Sequence, residues 1–286
     1  IGEPGGPDTE VYFRFDDLVH NKKCKDNPVD CECGKFLEIA NSVFMQYVRK
    51  EKSFEPLPKQ NVDFGGGLER LLAAVENKND MFQTSLFSSI VDTIELLTKK
   101  NYKQYSQNIR ITIDHLVASV FIINAGISPS NKEQGYLLRR LLRRGLDNFY
   151  NLGGSDLSAV IESIVEQYKK TDPDLLTNFE KIKNAILEEK DAYEITLKKA
   201  KNYIFKKYQI IGNELKGQVE ISADDAFYLY SSHGLSPTQI KSLGYVINDQ
   251  QFAQKMKEHQ KLSRKGAEKK FKGGLADHSE KTIMGH

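Results

Sequence analysis

Asn61-Val-Asp-Phe-Gly-Gly-Gly-Leu-Glu-Arg-Leu71 is the stretch that decides how this chain is read. Three consecutive glycines, Gly65 to Gly67, run straight into an apolar, helix-like segment that carries Glu69 and Arg70. Glycine has no Cβ, so a backbone built from it approaches a bulky ligand closely. An arginine on the first turn of the following helix meets a phosphate with a planar donor fork. The combination predicts part of a nucleotide pocket. The alternative is a strand-to-helix corner with no ligand, and the flanking sequence has to decide between them.

Upstream, Thr9-Glu-Val-Tyr-Phe-Arg-Phe15 alternates as a strand does. Phe36 to Tyr47 is apolar and fits strand or helix by period alone. Pro56-Leu-Pro58 then ends any helix, so the segment reads as a strand of an antiparallel sheet. From about residue 84 to 264 the period changes to 3.6 and strand signals nearly vanish. Helices are expected near 84–99, 107–124, 132–150, 155–169, 173–206, 222–233, 236–244 and 248–263. Asp172-Pro173 opens the longest of them, and Gly234 and Gly244 stop two short ones. The fold class is therefore α+β: a sheet-containing segment over 1–83, a helical segment over 84–264, and a polar, glycine-containing linker over 265–286 leading to an absent domain.

The 286 residues suffice for two domains, at roughly 100–200 residues each. Lys and Arg number 41 against 39 Asp and Glu, a formal net charge of +2. Binding to nucleic acid must then come from local patches, not from overall charge. No apolar run approaches the ~20 residues of a membrane span, and no basic-then-apolar leader opens the chain. Both points make the cytoplasm the default location, and no membrane partner is expected. The chain opens on Ile1 and closes on Ile283-Met-Gly-His286, which reads as a fragment of something longer.

Cys24, Cys31 and Cys33 are the only cysteines, an odd number that argues against a closed disulfide framework. With His20 they form His-x3-Cys-x6-Cys-x-Cys, four ligands suited to a tetrahedral zinc site. Reduced surface cysteines are the other reading.

Leu137-Leu-Arg-Arg-Leu-Leu-Arg-Arg144 places Leu137, Leu138, Leu141 and Leu142 on one half of a helix. Arg139, Arg140, Arg143 and Arg144 take the other half. Four guanidinium groups within two turns call for internal carboxylates or a phosphate backbone opposite them. Just upstream, Pro129-Ser-Asn131 reads as a helix entry, with the Asn131 side chain set either to cap or to reach a base edge.

Taken in order, these segments resemble the middle of the alanyl-tRNA synthetase family of class II aminoacyl-tRNA synthetases. The resemblance runs through Gly2-Glu-Pro-Gly-Gly-Pro-Asp-Thr-Glu10, Leu37 to Tyr47, Pro56-Leu-Pro-Lys59 and Val62 to Arg70. It continues through Ile113-Asp-His115 and Pro129 to Arg140, and ends in Ala276 to His286, similar to the lead-in to the family's editing domain. It implies the C-terminal part of an antiparallel-sheet catalytic domain followed by a helical tRNA-recognition domain. The implied reaction is ATP-dependent activation of L-alanine and transfer to the 3′ end of alanine tRNA. The glycine segment matches class II motif 3, which implies that Arg70 clamps ATP phosphate while Gly65 and Gly67 shape the pocket. Asp63 matches the carboxylate that holds the α-ammonium of alanine, and Asn41 the amide beside it. Magnesium on the phosphates is implied as well. Asn131 matches a reader of the wobble pair in the acceptor stem, with the arginine helix lying along that stem.

The chain departs from the family at Ala40, where tryptophan is usual, at Gln134, where arginine is usual, and at Ser231. Ser231 takes the place of an aspartate that is the second reader of the wobble pair. Motif 1 and the arginine-bearing loop of motif 2 would precede Ile1. The chain alone is therefore expected not to aminoacylate, with the N-terminal catalytic part supplied covalently or by a separate chain. A non-catalytic tRNA-binding module derived from such a synthetase is the alternative.

Overall fold

Strand β3 (Phe36–Arg49) organises the sheet. Its Phe, Ile, Val, Met and Tyr side chains suit a pleated surface, and the two prolines downstream had already excluded a helix. In the computed structural model β1 (Pro4–Gly5) and β2 (Asp8–Arg14) run antiparallel along one edge of β3. β4 (Phe54–Gly66) runs antiparallel along the other. Pro56 lies opposite Tyr47, and Pro58 falls where the register slips between the Met45 and Tyr47 pairings. Prolines are tolerated there because an edge strand or a bulge does not need every N–H. The structure describes residues 2–21, 27–51, 53–208, 219–235, 237–242 and 245–268, with side chains at 238, 242 and 260–268 excluded.

The chain divides into two compact units, Ile1–Leu187 and Glu188–His286. In the first, the sheet is followed by α1 (Leu68–Val75), α2 (Ser88–Thr98), α3 (Tyr102–Asn124), α4 (Glu133–Asn151), α5 (Ser158–Tyr168) and α6 (Asp174–Thr177). Ile90, Ile94, Ile109, Ile113, Leu116, Leu138, Leu142, Leu146, Phe149, Ile161 and Ile164 are fully buried and form its helical core. Arg70 lies on the first turn of α1, as the glycine corner predicted. Among the described residues no helix is long and apolar enough to cross a membrane.

The single helix expected over 173–206 is instead two, α6 and α7 (Phe179–Tyr208). Asn178 leaves helical geometry between them, and its side-chain amide donates to Asn124 Oδ1 at 2.9 Å. Within α7 one helical stripe is core: Ile182, Ile186, Tyr193, Ala200 and Ile204 are fully buried, whereas Leu176 on α6 is half exposed.

The second unit adds α8 (Ala223–His233), α9 (Pro237–Ser242) and α10 (Asp249–Glu268). Two three-residue strands that the sequence reading missed, β5 (Val219–Ile221) and β6 (Tyr245–Ile247), pair in parallel there. Ile221 and Ile247 enter a core with Ala200, Ile204, Ala226, Leu229, Leu235, Ile240 and Phe252. Strands this short carry no periodicity, so only their pairing identifies them. α10 runs to Glu268, a few residues beyond the expected start of the linker.

Candidate functional site

Strand register builds the site on one face of the sheet. Asn41 lies opposite Gly65, and Val43 opposite Asp63. Directly paired residues share a face, and so do residues two apart on one strand. Asn41 and Asp63 are therefore diagonal neighbours on the same face, with Gly65 beside them. A Cβ on Gly65 would stand 2.8 Å from Asn41 Oδ1. The glycine is needed because the Asn41 amide already lies across it.

On the other side of β3, Glu10 lies opposite Asn41 and Tyr12 opposite Glu38. Ile39 is bulged out between the Ala40 and Glu38 pairings, and its carbonyl accepts from Gly67 N–H at 3.1 Å. That extra residue turns Glu38 onto the same face as Asn41. Tyr12 OH donates to Glu10 Oε2 at 2.5 Å. The hydrogen bond to Glu10, then burial and the charges of Glu10 and Glu38, push the Tyr12 phenol up to about 12. Arg70 Nη1 donates to the Glu38 carbonyl at 3.0 Å and lies 3.5 Å from its carboxylate. The face is thus acidic, with Glu10, Glu38 and Asp63 around the Asn41 amide and one guanidinium at the margin. Sequence reading singled out Asn41, Asp63, Gly65, Gly67 and Arg70, and the structure places Glu10, Tyr12 and Glu38 on the same face, which sequence reading did not foresee. The alternation of Glu10 and Tyr12 was visible, but their meeting with Asn41 depends on register and on the bulge. A hollow of about 400 Å³ bordered by Phe44 and Val62 lies on the opposite face and is not part of this group.

The arginine helix is α4. Its buried stripe is Gly135, Leu138, Leu142, Gly145, Leu146 and Phe149. This corrects the leucine half expected from sequence, because Leu137 is 56% exposed while Leu138 and Leu142 are fully buried. Arg140 and Arg144 are exposed, and Arg139 and Arg143 are half-buried. Arg140 lies over the Tyr136 ring at 5.9 Å. Burial pushes the His115 imidazole below its ordinary value, opposed by its 2.8 Å contact with Asp114 and aided by the charge of Arg144.

The helix entry differs from the capping alternative. Lys132, not Asn131, is the N-cap residue, and it makes no side-chain cap. Asn131 Oδ1 accepts from Arg139 Nη1 instead, so the structure brings these two predicted residues together. Ser130 Oγ donates to the Lys132 carbonyl at 3.0 Å, and Ser130 N–H donates to the Gly135 carbonyl at 3.0 Å. The loop folds back so tightly that a Cβ on Gly135 would stand 2.6 Å from the Ser128 carbonyl oxygen. Gly135→Ala is expected to lower stability by about 1–2 kcal/mol through overpacking. Gly145→Ala, whose Cβ would meet His115 Cβ at 3.4 Å, is expected to change the melting temperature little. Thermal melts of both variants check the contrast.

Ser231 lies in the second unit, exposed on the last turn of α8, with its hydroxyl 3.5 Å from the Tyr228 carbonyl. Of the four predicted zinc ligands, His20, Cys31 and Cys33 converge, their ligand atoms within 4.8 Å of one another. Cys24 lies outside the described residues.

A family model for class II (A) tRNA synthetases matches residues 1–284. The alanine–tRNA ligase of Borrelia hermsii is 34% identical over 295 residues, covering 99% of this chain and 48% of the relative. That of Treponema pallidum is 33% identical over 298 residues with the same shares. That of Thermotoga maritima is 34% identical over 273 residues, covering 90% of this chain and 30% of the relative. The chain thus spans about half the length of the spirochaete relatives, whose remaining half belongs to the same polypeptide. An antiparallel sheet followed along the chain by helices agrees with that match: the chain belongs to the class II (A) tRNA synthetases.

Proposed function

We propose that this chain is the part of an alanine–tRNA ligase that holds the amino acid and one side of ATP, and that its helices meet the acceptor stem of alanine tRNA. The observation that carries the reading is the shared face of Asn41, Asp63 and Gly65, with Arg70 at its edge. An acidic face with one amide suits a small ammonium-bearing ligand, because a carboxylate gains most from a charged donor. Arg70, held against β3 by the Glu38 carbonyl, is the group for ATP phosphate, and Gly65 and Gly67 leave room for the nucleotide. Glu10 and Glu38 are oxygen donors of the kind magnesium takes, and magnesium would supply charge neutralisation at the phosphates. Residues 1–83 then serve as the catalytic part and 84–264 as the tRNA-recognition part. Catalysis of this kind rests on positioning and electrostatic stabilisation.

Calorimetry with a non-hydrolysable alanyl-adenylate analogue tests the pocket. The chain is expected to bind it, and to bind a deamino analogue far more weakly. Equal affinity for the two would remove the role given to the acidic face.

For the helices, the reading has Arg140 and Arg144 contact phosphate while Asn131, oriented by Arg139, reads the wobble pair. Arg140→Gln and Arg144→Gln are each expected to reduce the salt slope of tRNA binding by about 1. Asn131→Ala is expected to leave that slope alone and to erase any preference for the wobble pair over a Watson–Crick pair. Filter binding across a salt series with both tRNAs checks each outcome. Unchanged slopes would take the arginine helix off the tRNA.

A further inference from the structure

We infer that His20, Cys31 and Cys33 form a zinc site that clips the connection between β2 and β3. The three come from two separate pieces of chain. His20 follows β2, Cys31 closes the short 3-10 helix Pro28–Asp30, and Cys33 leads into β3. Asn27 caps that turn by accepting from Val29 N–H at 3.2 Å, which fixes where Cys31 leaves it. His20 Nδ1 lies 3.3 Å from Cys33 Sγ and 3.8 Å from Cys31 Sγ, and the two sulfurs are 3.2 Å apart.

Those edges can be compared with what zinc demands. Zn–S bonds of ~2.3 Å and a Zn–N bond of ~2.1 Å at tetrahedral angles put two sulfurs about 3.8 Å apart and nitrogen about 3.6 Å from each sulfur. Every observed edge lies within about 0.6 Å of its expected value, a gap that a small side-chain rotation closes. The His20 ring is braced edge-on by Phe36 at 5.9 Å. Lys35 Nζ donates to the Phe15 and Leu18 carbonyls, at 3.3 and 2.5 Å, and ties the same connection from its other side.

The chemistry selects the ion. Two thiolates and one imidazole suit zinc, whereas magnesium and calcium take oxygen. The role is structural: the clip holds the entry to β3, the strand that carries Glu38 and Asn41 to the acidic face. None of its ligands belongs to the adenylate pocket, so the two readings stand or fall separately.

The test is a cobalt titration of the reduced, chelator-stripped chain followed by zinc competition. One equivalent of cobalt is expected, with a thiolate-to-metal charge-transfer band that zinc abolishes, and zinc is expected to raise the melting temperature. His20→Ala and Cys33→Ser are each expected to weaken zinc binding at least tenfold, with circular dichroism showing that they still fold. The wild-type cobalt spectrum is informative even if those variants do not fold. A reduced wild-type chain without the charge-transfer band would overturn the site. So would an undiminished band in a Cys31→Ser, Cys33→Ser double variant.

Discussion

Replacing Asp63 with alanine is expected to weaken binding of the alanyl-adenylate analogue about a hundredfold. A hydrogen bond to a charged group contributes up to ~3 kcal/mol, and each ~1.4 kcal/mol is a factor of ten in affinity. Asp63 is exposed on its strand, so the full effect requires the ligand to cover it. The deamino analogue supplies the internal check, since it has no ammonium to lose. Asp63→Ala should leave its affinity nearly unchanged. Ser42→Ala, one step along β3 and on the opposite face, should leave both affinities unchanged. If Asp63→Ala weakened both analogues equally, the carboxylate would be shaping the sheet and not pairing with the amino group.

Asp225→Ala is expected to destabilise the second unit by about 3 kcal/mol, because it strips the carboxylate from a network of donors. Asp225 is buried at the start of α8 and accepts from Tyr203 at 2.9 Å, Tyr208 at 2.6 Å and Ser222 at 2.8 Å, and from Lys207. Ser222 in turn caps α8 by accepting from Asp225 N–H, so the helix entry and the network share their partners. Burial alone would raise the Asp225 carboxyl. The donors win, Lys207, Tyr208, Ser222 and Tyr203 in that order, and hold it well below the usual carboxylate range. A depressed acid contributes its stability in full above its unfolded value of ~3.9, and the contribution disappears as pH falls through the lower folded value. Melting temperatures of the wild type should therefore drop as the pH falls below about 4. An Asp225→Asn variant, already destabilised at neutral pH, should lose less over the same interval. Parallel pH profiles for the two proteins would remove Asp225 from the account of acid stability.

Much of the helical part was legible because its signal is local. Ile182, Ile186, Tyr193, Ala200 and Ile204 repeat with the helical period, and that stripe proved to be core. The glycine corner also announced itself, since three glycines before a helical run leave little else for the chain to do there than turn closely. The break at Asn178 was not legible. The Asn178 side chain there bonds to Asn124, 54 residues away, and no window along the chain contains both partners. Leu137 failed for a related reason. Periodicity places it near the apolar side of α4, but packing buries Leu138 and Leu142 and leaves Leu137 outside.

The amino-acid sequence by itself determined the family and the α+β class, because residue type, spacing and periodicity carry that information. Only the tertiary structure decided that Asn41 and Asp63 share one face, since side chains alternate along each strand and the β3–β4 register fixes which of them meet. The same register brought Glu10, Tyr12 and Glu38 to that face. Chain folding between β2 and β3 likewise drew His20 to Cys31 and Cys33. These meetings depend on contacts between residues far apart in the chain, and spacing along one strand or helix does not contain them.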